Sequence, residues 1–231
     1  MKLGIIGAMQ EEVEILLKEF GQCQKESFAR HEFYLGKYAG HDIVLCRSGI
    51  GKVSAGSTAT ILAEHYGVQA VVNSGIAGGI GKGLKIADTV ISTGTAYHDF
   101  DLSVFGYEKG QIPEHDRVFA AGDKLLETAR RASESVKSFT NVHEGLIVSG
   151  DQFISSDEAI ARILSLYPQA VATEMEGAAI GHICNDYNIP YLVIRAISDS
   201  ADDDAPDSSV DFMPVALKSC STLVLEIIKL L

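Results

Sequence analysis

Short apolar runs punctuate the chain, and between them apolar residues return every three or four positions. The runs have the period of strands and the intervening stretches the period of helices. Residues 3–8 predict a strand and 11–20 a helix. Strands are expected at 33–38 and 43–47, then a helix at 53–66. Residues 70–74 and 89–92 read as strands, followed by a polar stretch at 98–117. A helix is expected over 118–136, a strand at 146–149, a helix at 157–166 and a strand at 170–173. Residues 177–187 predict a helix, 191–197 a strand, and the apolar stretch 212–231 a closing helix.

Alternation of this kind implies an α/β domain with a substantially parallel central sheet. The adjacent strands at 33–38 and 43–47 suggest a hairpin, which makes the sheet mixed. No linker, low-complexity tract or internal repeat divides residues 1–231, so one domain is expected. The stretch 212–231 is interrupted by Lys218, Glu226 and Lys229 and reads as a packed amphipathic helix, not a membrane span. At the start, Glu11 and Glu12 cut the apolar run shorter than a signal peptide requires.

Composition narrows the partners. The net charge of −12 argues against nucleic acid and anionic membrane surfaces. It leaves room for a small ligand in a pocket. The four cysteines, Cys23, Cys46, Cys184 and Cys220, form no CxxC pair, and the seven histidines form no HExxH. Neither a disulfide framework nor a metal site is expected, and reduced thiols fit a cytoplasmic protein. His98 and His182 read as ordinary core or surface histidines.

In parallel sheets ligands bind beyond the carboxyl ends of strands. Five clusters stand there: Glu11-Glu12, Ser74 to Gly79, Gly150 to Phe153, Glu174-Met175-Glu176, and Ser198-Asp199. Ser48-Gly49-Ile50-Gly51-Lys52 lacks the spacing of a phosphate loop, and the glycines from Gly75 to Gly83 lack that of a dinucleotide fingerprint. Glycines at 75–79 fit close backbone approach to a ligand. Glu11 and Glu12 also suit the first turn of a helix. Of the aspartates from 199 to 211, most read as loop or capping residues. Asp199 differs because it ends a buried strand, where a carboxyl can serve as an acid. Arg195 would pair with it or with another site acid. Phe153 is either core or a platform for a flat ring. Glu174 and Glu176 face one side if the backbone stays extended and diverge if a helix begins between them.

Together these segments resemble the bacterial 5′-methylthioadenosine/S-adenosylhomocysteine nucleosidases of the purine nucleoside phosphorylase superfamily. The resemblance spans nearly the whole chain. It rests on Gly4 to Val13, Ser48 to Val53, Tyr97-His98-Asp99, Phe105-Gly106-Tyr107, Ser149 to Phe153, Glu174 to Gly177 and Arg195 to Asp199, in that order. It implies a three-layer fold around a mixed sheet, a homodimer, no cofactor or metal, and hydrolysis of an N-glycosidic bond in adenosine-derived nucleosides. By resemblance Glu12 activates water and Asp199 protonates the leaving adenine. Glu176 holds the ribose hydroxyls with Met175 against the sugar, and Glu174 supports it. Phe153 stacks on adenine, the Ile154 backbone binds its edge, and Arg195 organises the water side. Ile50, Gly78 and Ser198 complete the expected ligand contacts. Phe105 and Pro113 would reach the neighbouring subunit's site.

Family members often carry Ser where Ile76 stands and Phe where Ser209 stands, which bears on water placement and on selectivity for the 5′ group. The competing readings are an aminodeoxyfutalosine nucleosidase, a nucleoside phosphorylase, and a nucleoside-binding protein without turnover. A phosphorylase needs a cationic cradle that Glu12 would oppose. Binding alone needs neither an acid nor a base.

Overall fold

The structure is a computed structural model that describes residues 1–136, 140–201 and 205–231; the side chains of residues 206, 208 and 209 lie outside the described part. The elements run β1 (Lys2–Gly7), α1 (Gln10–Phe20), β2 (Gln24–Phe28), β3 (His31–Tyr38), β4 (His41–Arg47), α2 (Lys52–Glu64), β5 (Ala70–Gly79) and β6 (Thr89–Tyr97). They continue with β7 (Phe119–Ala120), α3 (Asp123–Val136), β8 (Val142–Ser149), α4 (Asp157–Leu166), β9 (Ala170–Glu174), α5 (Gly177–Asp186), β10 (Tyr191–Asp199) and α6 (Ala205–Leu230).

All the strands join one mixed sheet. Strand β5 is its hub. It pairs in parallel with β1 through residues 70–73 and with β10 from Val71 onward, and its last glycines pair antiparallel with β9. From β10 the hydrogen bonding passes to β6, then β8, then β9, and so back to β5. Five strands therefore close a ring, and β1, β4, β3 and β2 extend from it as an open arm.

Two apolar layers cover the sheet. Helices α1, α3 and α6 supply Val13, Leu16, Leu125, Leu223 and Ile227 to one core. Helices α2 and α5 supply Leu62, Ala59, Ala179 and Ile180 to the other. A smaller cluster around Ile163 and Tyr167 seats α4. No helix among the described residues is long and apolar enough to cross a membrane. The three-layer mixed α/β architecture expected from the sequence is the one observed.

Several element bounds differ from expectation, each for a physical reason. The run at 70–74 continues as strand to Gly79, because glycine hides the alternation that marks a strand while keeping it extended. The stretch 118–136 is not one helix. Phe119–Ala120 pairs with β6, and the chain turns through Gly122, where an added Cβ would lie 2.8 Å from the Pro190 Cβ, before α3 begins at Asp123. Strand β2 (sequence QKESF) is polar and held through pairing with β3, so no apolar run announces it. Helix α6 starts at Ala205, ahead of the apolar stretch, and runs through Pro214.

Candidate active site

A cleft partly open to solvent lies at the carboxyl ends of β1, β5, β9 and β10. Its described lining includes Glu12, Glu174, Glu176 and Asp199 and contains no lysine or arginine.

Glu12 reaches the cleft from the first turn of α1. Its Oε2 accepts hydrogen bonds from the backbone N–H of Ala8 (2.5 Å) and Met9 (3.0 Å), and its Oε1 from that of Ile76 (3.2 Å). The turn from β1 into the helix thus locks the carboxylate, as a third-position acid caps a helix start. Burial pushes the Glu12 carboxyl above its ordinary pKa, against the pull of Arg195 and of these N–H donors. A carboxylate so placed is a stronger base near neutral pH than an exposed one. Glycine at 75 is needed here, because a Cβ on that residue would land on Glu12 Oε1 and lie 3.1 Å from Arg195 Nη1.

Behind the cleft runs a buried polar network. Arg195, on β10, is 1% exposed and does not line the cavity. Its Nη2 donates to Glu174 Oε2 (2.5 Å) and to Asn73 Oδ1 (2.6 Å), and stands 3.7 Å from Glu176 Oε2. Of the two pairings left open by the sequence, Asp199 or another site acid, the second is the one seen, with Glu174 as the acid. Burial works against the charge on Arg195, but the carboxylates of Glu174, Glu12 and Glu176 outweigh it and raise the pKa of the guanidinium. Glu174 is saturated: it accepts from Ser149 Oγ, from the N–H of Glu176 (3.1 Å) and from that of Gly177 (2.8 Å). Ser149 Oγ accepts in turn from the Ala178 N–H (2.7 Å).

Glu174 closes β9 whereas Glu176 caps α5, with φ −131° and ψ −40°. The backbone leaves the extended form between them, yet both carboxylates converge on Arg195. Glu176 Oε1 accepts from the Gly51 N–H (2.9 Å). Burial, then the charge of Glu174, pushes the Glu176 carboxyl up to about 8. Of the pair, Glu176 has capacity left for a ligand and Glu174 has little.

At the end of β10, Asp199 is 2% exposed. Its Oδ2 accepts from Ser198 Oγ (2.7 Å) and its Oδ1 from the Ala201 N–H (2.9 Å). Gly78 is required beside it, since a Cβ there would meet both Asp199 Oδ1 and Ala201 Cβ at 2.9 Å. Phe153 presents a half-exposed ring at the cleft mouth, and Ile154 is buried beside it. Their loop is tied down by charge. Lys52 Nζ donates to Asp99 Oδ1 and Oδ2, both at 2.7 Å, and lies 3.7 Å from Asp151 Oδ2; Asp151 N–H donates to Asp99 Oδ2 (2.9 Å).

Glu12, Ile50, Gly78, Phe153, Ile154, Glu174, Met175, Glu176, Ser198 and Asp199 all line the one cleft. Arg195 stands behind it, and Phe105 and Pro113 lie away from it, Phe105 being 75% exposed. Ile76 lines the cleft, whereas the Ser209 side chain lies outside the described residues. Asn73 and Ser149 were not foreseen. A lone asparagine inside the apolar run Ala70-Val71-Val72-Asn73 was the available signal, because a buried amide needs a partner.

A family model described as the phosphorylase superfamily matches residues 2–229. A curated protein from Haemophilus influenzae (strain PittEE), named 5′-methylthioadenosine/S-adenosylhomocysteine nucleosidase, is 44% identical over 228 residues, 99% of each chain. The crystal structure of the nucleosidase of that name from Neisseria meningitidis, in complex with methylthio-immucillin-A, matches with a TM-score of 0.96 at 43% identity, covering 100% of this chain and 99% of that one. Futalosine hydrolase of Helicobacter pylori strain 26695 matches with a TM-score of 0.95 at 34% identity, over 100% and 98% of the two chains.

Proposed function

The chain belongs to the 5′-methylthioadenosine/S-adenosylhomocysteine nucleosidases of the phosphorylase superfamily, and we propose that it hydrolyses the N-glycosidic bond of both nucleosides with Asp199 as acid and Glu12 as base. The observation that carries this division of labour is that Glu12, Glu176 and Asp199, from the starts of two helices and the end of a strand, share one cleft.

As the bond breaks, positive charge grows on the sugar and negative charge on the purine. Asp199 delivers a proton to the leaving adenine, which rests on Phe153 with its edge against the Ile154 backbone. Glu12, held by three N–H donors, takes a proton from water as the oxygen attacks the sugar. Glu176 accepts the ribose hydroxyls, with Met175 beneath the ring. Each proton transfer contributes roughly 10²–10⁴-fold. Arg195 acts from behind, fixing Glu174 and moderating the repulsion among the carboxylates.

The cleft's described lining favours water over phosphate as nucleophile, because it holds four acidic side chains, Glu12 among them, and no basic one. Two like charges ~4 Å apart at an effective dielectric of ~20 repel by about 4 kcal/mol. 5′-Deoxyadenosine is a further substrate on this reading, and the likeness to a futalosine hydrolase makes aminodeoxyfutalosine the nearest competing one. The reaction serves methionine salvage in the cytoplasm, and the working form is a homodimer in which Phe105 and Pro113 cover the neighbour's 5′ group.

The test is adenine release from the four nucleosides with and without inorganic phosphate. Release without phosphate is expected, and Glu12→Gln is expected to abolish it while leaving nucleoside binding within a few-fold by calorimetry. A strict phosphate requirement, or near-normal kcat in Glu12→Gln, overturns the assignment.

A further inference from the structure

Away from the cleft, His115, His182 and Asp186 bring one donor atom each into a group whose atoms all lie within 4.8 Å of one another. His182 and Asp186 are one turn apart on α5, and His115 comes from the loop before β7. His115 Nε2 stands 2.7 Å from Asp186 Oδ1, and His182 Nε2 stands 3.7 Å from Asp186 Oδ2. We propose that these three side chains form a divalent transition-metal site, with zinc as the fitting ion and a solvent molecule in the fourth position.

The His115 tautomer favours it. His115 Nδ1 lies 2.9 Å from the Pro113 carbonyl oxygen, which can only accept, so Nδ1 carries the proton. In the neutral ring Nε2 is then a bare lone pair aimed at a carboxylate. That arrangement needs something positive between the two atoms: a proton or a metal ion. His182 places Nδ1 3.3 Å from Tyr97 Oη, a hydroxyl that can donate or accept, and turns Nε2 toward Asp186. Metal-bound histidines characteristically give their second N–H to a carbonyl or other oxygen, which fixes the ring. Phe119 stacks on the His182 ring at 5.0 Å with planes 13° apart, holding it further.

The loop is built to present His115. The His115 N–H closes a turn on the Ile112 carbonyl at 3.2 Å, and Glu114 takes a left-handed φ of 67°, which costs a non-glycine residue energy. Two imidazoles and one carboxylate, with an open position, are a donor set that zinc accepts. Tetrahedral bonds of about 2.0–2.1 Å set donors roughly 3.3 Å apart. Reaching that spacing requires the 2.7 Å pair to open and the wider pairs to draw in. Rotation of Asp186, whose side chain is 42% exposed, can supply the opening. The competing occupant is a proton, giving an imidazolium–carboxylate pair between His115 and Asp186. The raised pKa of His115, from its hydrogen bonds to Asp186 and the Pro113 carbonyl, belongs to that state. Metal and proton compete for the same lone pair.

Calorimetric titration of the metal-free full chain with zinc chloride at pH 7.5 tests the site. One ion per chain is expected to bind saturably at micromolar concentration. Cobalt(II) should produce visible d–d bands that zinc abolishes. Asp186→Asn and His115→Ala/His182→Ala are each expected to weaken binding by at least roughly 10–100-fold, the range that loss of even an outer partner costs. Circular dichroism confirms that each variant is folded, and the conservative Asn change guards against a packing defect in the double variant. No saturable binding to the parent chain overturns the proposal. So does undiminished binding in the folded variants, which would place the ion on Cys23 or another surface group.

Discussion

Replacing Glu176 by glutamine separates its charge from its shape. Gln keeps an acceptor for the Gly51 N–H, now at 2.9 Å, and Arg195 keeps Glu174 and Asn73. What disappears is a carboxyl that burial and Glu174 push from 4.5 up to about 8. Between those two values the folded chain holds a proton on Glu176 that the unfolded chain has released. The folded state then binds more protons, so its stability falls as pH rises through this window. At 1.36 kcal/mol per pH unit, the interval from 4.5 to about 8 gives an upper bound of roughly 5 kcal/mol. The variant lacks this loss. Urea unfolding of both proteins, at one protein concentration and at intervals from pH 4.5 to 9, measures it. The stability of Glu176→Gln relative to the parent should climb between pH 4.5 and about 8 and level off above it, while KM for the nucleosides rises because a ribose acceptor is gone. Parallel pH profiles, or a parent chain that gains on the variant with pH, would refute the reasoning.

Three further outcomes are expected. Asp199→Asn should lower kcat by roughly 10²–10⁴-fold on adenine nucleosides and less on substrates with activated leaving groups; equal losses on both would sink the acid role. Gly75→Ala should drive a methyl group into Glu12 Oε1 and depress kcat with little change in global fold, by ~10²-fold if the carboxylate moves ~1 Å; normal turnover would show that Glu12 needs no such fixed position. Light scattering should give a mass near twice 24.7 kDa, and Phe105→Ala should raise KM for 5′-alkylthio substrates more than it lowers kcat; a fully active monomer contradicts both.

The parts of the site legible in the sequence were those where a charge interrupts an apolar run. Glu12, Glu176 and Asp199 stood out because each follows a strand, and the α/β alternation places such ends together. The direction of Arg195 was not legible. Its residue number gives the strand face, but its partner depends on how β5 delivers Asn73 and β9 delivers Glu174 to the same buried spot. The relation between Glu174 and Glu176 turned on one local dihedral change at the helix cap, which decides orientation without altering composition. Strand β5 read short because its last residues, Gly75 to Gly79, carry few side chains that could alternate. The His115–His182–Asp186 group was invisible for another reason. Its loop and helix are far apart in the chain, and no spacing rule connects them.

The ring of strands described above also bears on how the chain acquires its shape during synthesis. Val71 pairs with Tyr191, 120 positions further along. That pairing is central to the sheet, and β10 carries both Arg195 and Asp199. An emerging polypeptide can assemble the arm from β1 to β4 early, from neighbours in sequence. The ring must wait until β10 has left the ribosome, and β5 meanwhile has an unpaired edge. Contacts of such long separation slow folding and leave strand edges open to wrong partners. A nascent chain stalled before residue 191 would therefore expose the β5 edge to chaperones or to aggregation, and no catalytic cleft would exist at any earlier stage.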